Sequence, residues 1–261
     1  MLRRTGSSAI WRTSVTLPST STSYITFNIR NKPLDDVKIR QALSIALDRT
    51  AMIKTINFGI GEVATSFRPK GSLYFNDTLP GWPYDVAKAK SLLAEAGYPN
   101  GFTLTLQITN GREADKAIAT LAQAMWAQIG VTLKVQQLES GLINDNYYKD
   151  LFEVQLNSWS DDIPDPSEEI TYGMDGTNSS LSFHSGFNNA EANQLIADGV
   201  KETDPAKRQT IYFRLQEIFN QETPYLPLWY APYVVMTRTN VSNFYQTPLG
   251  TYIWRDLDVS R

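Results

Sequence analysis

Trp159-Ser-Asp-Asp-Ile-Pro-Asp-Pro166 packs three carboxylates, one indole and two prolines into a single short stretch. Asp161, Asp162 and Asp165 beside Trp159 could hold a cation or an ammonium group through charge and the ring face. Two of them could also act as the acid pair of a glycoside hydrolase. That chemistry needs carboxylates held across a substrate, one with a raised pKa. The plain alternative is a turn stiffened by Pro164 and Pro166 with solvated carboxylates. Ahead of this loop, Phe152, Val154 and Leu156 alternate with Glu153 and Gln155, which predicts a half-buried strand. The loop thus leaves the C-terminal end of a strand, where α/β sheets usually bind ligands.

Several chemistries are excluded by composition. The chain has 261 residues, no cysteine and one histidine, so thiolate chemistry, disulfides and multi-histidine metal sites are ruled out. An all-oxygen calcium site stays open. His184, in a polar Ser/Gly context, reads as a surface residue rather than a catalyst. The net charge of −3 gives no footprint for nucleic acid or an anionic membrane. No apolar run approaches the ~20 residues of a membrane span. There is no phosphate-binding loop, dinucleotide fingerprint or other cofactor motif, and nothing points with force to an enzyme.

The elements that must position the loop follow from periodicity. Thr103–Ile108 alternates as a strand, Ile118 to Ile129 forms a helical apolar stripe ended by Gly130, and Val131–Val135 is another strand. A short helix near 142–148 then precedes the strand leading to Trp159. This β-α-β-α-β order predicts an α/β layer with helices on the sheet. If the strands run parallel, the loops after Ile108 and Leu156 open at one edge, making Asn110-Gly-Arg112 a candidate neighbour of Trp159 to Asp165. Upstream, 24–29 reads as a strand, followed by a helix pair near 35–57 capped by Asp35-Asp36 and recapped at Asp48. Glu62–Pro83 reads as a long loop in which Trp82 serves as an anchor, and Asp85 caps the helix that follows it. Further on, helices are expected from Asn189 and from Thr203-Asp204-Pro205, then strands at 225–230 and 233–237, with Pro227 marking an edge. Residues 14–23 read as a linker, 174–188 as a loop, and the tail from Asn240 as aromatic and irregular. The first dozen residues carry basic side chains but no apolar core of a secretory signal.

Four stretches in order resemble the dipeptide/oligopeptide class of extracellular solute-binding proteins (family 5). They are Asn31-Lys-Pro-Leu-Asp-Asp-Val-Lys-Ile-Arg-Gln-Ala-Leu43 with Ala46-Leu-Asp48, Tyr84-Asp-Val-Ala-Lys-Ala-Lys-Ser-Leu-Leu-Ala-Glu-Ala-Gly97, Met125-Trp-Ala-Gln-Ile-Gly-Val131, and Trp159–Pro166. The resemblance implies a class II periplasmic-binding-protein lobe: a mixed sheet flanked by helices, serving an ATP-driven bacterial importer without catalysis. It implies a peptide or related small solute as ligand, membrane permease subunits as partners, a periplasmic location and no cofactor. Family members are about twice as long, so residues 28–224 would be the second lobe. Residues 1–27 would then be linker and hinge, 225–261 would return to a first lobe, and that lobe and a secretory signal would lie upstream. Self-association through the face the first lobe covers is a further expectation. By resemblance, Asp162, three residues after Trp159, would neutralise a peptide's α-ammonium. Relatives that bind dipeptides place an arginine near the end of the strand before the long helix, for the peptide carboxylate. Here that strand ends at Thr109-Asn110 and the nearest arginine is Arg112, a departure that leaves dipeptide specificity open. Trp159, Asp161, Asp162, Thr109, Asn110 and Arg112 are the candidate ligand residues.

Overall fold

A computed structural model describes residues 15–178 and 182–260. The signal-peptide reading falls on residues outside these. The first strand, β1 (Val15–Leu17), is followed by β2 (Thr22–Phe27). β1 and the first two residues of β2 lie in the segment expected to be a linker, where Thr and Val suit strands once a partner supplies the ladder, while the rest of β2 falls in the strand expected from Tyr24. Helices α1 (Val37–Ile45) and α2 (Arg49–Ile56) come next, then the two-residue strand β3 (Glu62–Val63) and α3 (Val86–Glu95). The predicted alternation is complete in β4 (Thr103–Thr109), α4 (Glu113–Ala127), β5 (Thr132–Leu138), α5 (Ser140–Tyr148) and β6 (Val154–Trp159). Beyond it lie α6 (Ser167–Met174), α7 (Ala190–Lys201) and α8 (Pro205–Glu222).

Side-chain caps start these helices where the sequence places them. Asp36 accepts from the Lys38 amide, Asp48 from Ala51, Asp85 from Lys88, Asn189 from Ala192, and Asp204 from both Ala206 and Lys207. Each satisfies amides that the first turn leaves without an intrahelical partner.

The main sheet is mixed, in the order β3-β7-β2-β6-β4-β5, where β7 is Tyr225–Tyr230. β5, β4 and β6 run parallel; β6-β2, β2-β7 and β7-β3 are antiparallel. Ile25, Phe27, Leu104, Leu106 and Val154 are buried in its core. Trp126 fixes α4 to α1 by donating its indole N–H to the Leu43 carbonyl at 2.8 Å. Gly101 and Gly130 meet where β4 and β5 begin, both at positive φ, and a Cβ on Gly101 would run into the Gly130 carbonyl. β2 ends at the expected boundary 27/28 and β7 starts at 224/225, and both are interior strands of this sheet.

Pro227 is not on an edge. β7 lies between β3 and β2, and the proline is tolerated because the β2–β7 register slips there, from Ser23↔Trp229 to Tyr24↔Pro227. On the other side β3 pairs only with Trp229 and Tyr230. The partner of the next strand, β8 (Tyr233–Val235), is β1. In the tail, β9 (Val241–Ser242) pairs with β12 (Asp258–Val259) and β10 (Tyr245–Gln246) with β11 (Tyr252–Ile253), so it is more regular than its composition suggests.

His184 is also placed differently from its expected surface position. It is buried in a short 3-10 turn, Ser182–His184, with its ring against Tyr147 and Tyr148 and its Nδ1 3.2 Å from Asp150. The rings that cover it come from α5, far away in the chain. Trp82 is an anchor as expected: buried, and donating to the Thr223 hydroxyl at 2.9 Å. Arg49 lies over its ring and gives hydrogen bonds to the carbonyls of Ala64, Pro227 and Trp82. Burial pushes this guanidinium down to about 10.

Candidate ligand-binding edge

β4 and β6 pair in parallel, Leu106 with Val154 and Gln107 with Gln155, so their C-terminal ends open at one edge. β6 carries Trp159 to its end because the strand alternation continues that far. There the ring packs against Tyr172 and Phe183, both at 5.2 Å. Pro164 and Pro166 stop further pairing, and α6 begins at Ser167.

The three aspartates of the intervening loop have three different fates. Asp161 is buried: its carboxylate accepts from the Trp159 indole at 2.9 Å and from Arg68 Nη1 at 3.3 Å, while its amide donates to the Thr20 hydroxyl. The same Nη1 donates to the buried Glu169 at 3.0 Å. Arg68 Nε and Nη2 are buried without a partner among the described residues. Burial raises both acids, Glu169 well above its ordinary range, against the lowering pull of Arg68. Asp165 is held by Arg208 through two contacts of 2.7 Å and caps the Ser167 amide. Those hydrogen bonds hold its carboxyl well below the usual carboxylate range. Asp162 is exposed, and its carboxylate makes no hydrogen bond or ion pair among the described residues. Its amide and that of Ile163 donate to Glu168, which sets the loop's path.

At the end of β4, the Thr109 amide donates to Asp115 at 3.4 Å and Asn110 donates to Glu139 at 2.9 Å. Arg112 stands at the N-cap of α4, 66% exposed and 4.0 Å from Asp115. Burial raises Asp115, with Arg112 opposing. A cavity of about 580 Å³ opens between α4 and the sheet edge, lined by Arg112, Asp115, Asn157, Ser158, Trp229 and Pro232 among others. A second, of about 420 Å³, borders the acidic loop at Asp161, Pro164 and Asp165. The two share no lining residue. The edge therefore gathers both loops, but Arg112 and the acidic loop face separate cavities.

Arg68, Glu169 and Arg208 were not singled out from the sequence, because a lone arginine gives no sign of a partner 93 residues away. Asn157 and Asp115 were also passed over. The alternation that placed Trp159 at the strand's end was the only available signal for Asn157. With Asp161 and Asp165 both locked to guanidinium groups, the loop offers no carboxylate pair for glycoside hydrolysis. Among the described residues no group of three or more acidic or histidine side chains could hold a metal ion.

A helix-flanked mixed sheet whose C-terminal edge carries open cavities and, at Asp162, an exposed carboxylate with no partner among the described residues has the form of a binding module. The family of bacterial extracellular solute-binding proteins, family 5 (middle region), matches residues 7–182, and the chain belongs to it. This is a family of solute-binding proteins rather than of enzymes. The chain is 33% identical over 236 residues to heme-binding protein A of Haemophilus influenzae, covering 87% of this chain and 42% of that protein. It is 28% identical over 249 residues to the glutathione-binding protein GsiB of Escherichia coli, covering 93% and 48%. The solved structure of HbpA2 from Haemophilus parasuis superposes with a TM-score of 0.85 at 28% identity, covering 95% of this chain and 50% of that one. The chain thus spans about half the length of the curated relatives it matches.

Proposed function

We propose that this chain is the ligand-binding lobe of a periplasmic receptor that captures a peptide or related amino-bearing solute. The receptor hands that solute to the permease subunits of an ATP-driven importer. Residues 28–224 form the body of the lobe in this reading, and 225–261, which starts with strand β7, leads toward a first lobe. The observation that carries the reading is Asp162. Of the three loop aspartates it alone keeps its carboxylate exposed and unengaged, at the edge where α/β sheets bind ligands. Family membership and the relatives named for heme and glutathione support the wider class. Asp162 takes the ligand's ammonium, and Trp159, fixed by Asp161 and two rings, walls the site. Thr109, Asn110 and Arg112 at the end of β4 are the remaining candidates in this reading, the exposed Arg112, 4.0 Å from Asp115, meeting a ligand carboxylate from the neighbouring cavity.

The test is titration calorimetry with short peptides against the parent and Asp162→Asn. Loss of a desolvated carboxylate–ammonium pair should weaken binding by about tenfold or more. Equal affinity would remove Asp162 from the site. A second reading, self-association, is favoured by the exposed Tyr245, Tyr252 and Trp254. A monomeric sedimentation profile at high concentration would dismiss it.

A further inference from the structure

We propose that Asn110 is a self-modifying position, its side-chain amide converted to aspartate and isoaspartate through attack by the Gly111 backbone nitrogen. The inference is independent of which solute the neighbouring edge holds.

The step needs no reactant but water. The Gly111 nitrogen gives up its proton and bonds to the side-chain carbonyl carbon of Asn110. The bond from that carbon to Nδ2 breaks, and Nδ2 leaves with the proton as ammonia. A cyclic imide remains, and water adds to one of its two carbonyls to open the ring. Breaking the new bond to nitrogen gives aspartate. Breaking the original peptide bond instead gives isoaspartate, with an extra methylene in the backbone. The residue after the asparagine must leave its nitrogen open to approach, and glycine, without a Cβ, does so best.

The sequence holds two such pairs, Asn100-Gly101 and Asn110-Gly111, and both asparagines are exposed. The tertiary structure separates them. Gly101 donates its N–H to the Tyr98 carbonyl at 3.0 Å, and a Cβ on it would run into the Gly130 carbonyl. Ring closure at Asn100 has to break that bond and lift the backbone away from Gly130. Gly111, at φ +77°, has no atom within 4 Å of where a Cβ would stand, and its N–H makes no hydrogen bond among the described residues. The turn is closed by Arg112 instead, whose N–H donates to the Thr109 carbonyl at 3.3 Å. The attacking nitrogen is free and the backbone around it has room to rotate.

Conversion changes this edge in two ways. The Asn110 amide donates to Glu139, the N-cap residue of α5, at 2.9 Å. A carboxylate in its place meets Glu139 as a like charge, so the tie between the end of β4 and the start of α5 becomes a repulsion. It also sets a negative charge two residues from Arg112, which already has Asp115 at 4.0 Å, and weakens the pull of that guanidinium on an anion in the cavity it lines.

The experiment incubates the chain folded, and in parallel unfolded in guanidinium chloride, in mildly alkaline water enriched in heavy oxygen, which labels each carboxylate formed. Trypsin then releases residues 91–112 as one peptide carrying both sites, and its fragment masses assign the label to Asn100 or Asn110. In the folded chain Asn110 should convert about tenfold or more faster, because the hydrogen bond and packing that hold Gly101 suppress the open backbone by about that factor. In denaturant the two rates should converge. Equal rates in the folded chain, a faster Asn100, or no label at Asn110 overturns the proposal. A gap that persists unchanged in denaturant also overturns it, since the fold would then not be its cause. Asn110→Asp fixes one end state and should lower the melting temperature, and adding Glu139→Gln should recover the loss. An unchanged melting temperature in Asn110→Asp overturns the link to α5.

Discussion

Replacing Arg68 with methionine tests the buried charges behind the acidic loop. Arg68, Asp161 and Glu169 have side-chain exposures of 1%, 1% and 2%, and one nitrogen, Nη1, serves both carboxylates at 3.3 and 3.0 Å. Removing one partner of a buried ion pair typically costs about 3–5 kcal/mol. Methionine also removes two buried donors that lack partners, Nε and Nη2, and relief of that desolvation pulls the net loss toward about 3 kcal/mol. Against a domain stability of about 5–15 kcal/mol, that is a large fraction. The pH dependence follows from the direction of the shifts. Burial raises Glu169 above 4.5 and Asp161 above 3.8, so the folded state holds these protons more tightly than the unfolded chain. Stability from this source is present at low pH and falls as pH climbs from those ordinary values through the folded ones. Without the guanidinium both acids are pushed further up, so the deficit of Arg68→Met should be greatest near about pH 8 and shrink toward about pH 4.5. Urea unfolding at several pH values, followed by tryptophan fluorescence, measures it. Glu169→Gln, which keeps an uncharged acceptor for Arg68, should flatten the pH profile of the otherwise native chain. A deficit under about 0.5 kcal/mol at the higher pH, or one that grows on acidification, would refute the reasoning.

Other expectations follow from the same structure. Asp165→Asn should cost about 1–2 kcal/mol near neutrality, reduced by partial exposure. Because its folded pKa is depressed, the difference from the parent should start to shrink as pH falls through the ordinary value of 3.8 and vanish only below the lower folded value, as acid unfolding curves would reveal. Arg49→Met strands the buried carbonyls of Ala64, Pro227 and Trp82, and should lower stability by about 3 kcal/mol in chemical denaturation. Gly101→Ala puts a methyl group against the Gly130 carbonyl at a positive φ, and thermal unfolding should show a loss of about 2 kcal/mol or more.

What the sequence determined by itself was the local order. The alternation of 103–108 and 152–156, the apolar stripe of α4 ended by Gly130, and the caps at Asp36, Asp48, Asp85, Asn189 and Asp204 all depend on neighbours within a turn or a strand. They are set by backbone geometry and short-range hydrogen bonding, so the residues alone report them. The position of the acidic loop at a strand's C-terminal end belongs to the same class. Only the tertiary structure decided which elements became partners. β1 and the start of β2 looked like linker because a strand so short needs a distant ladder, here β8, β7 and β6. Pro227 read as an edge residue because a register slip cannot be seen in one strand. His184 read as exposed because the rings that bury it belong to another helix. The three aspartates were equivalent in sequence, and burial beside Arg68, pairing with Arg208 and exposure to water made them different. Those fates depend on guanidinium groups brought from 93 and 43 residues away, a long-range electrostatic outcome with no local signature.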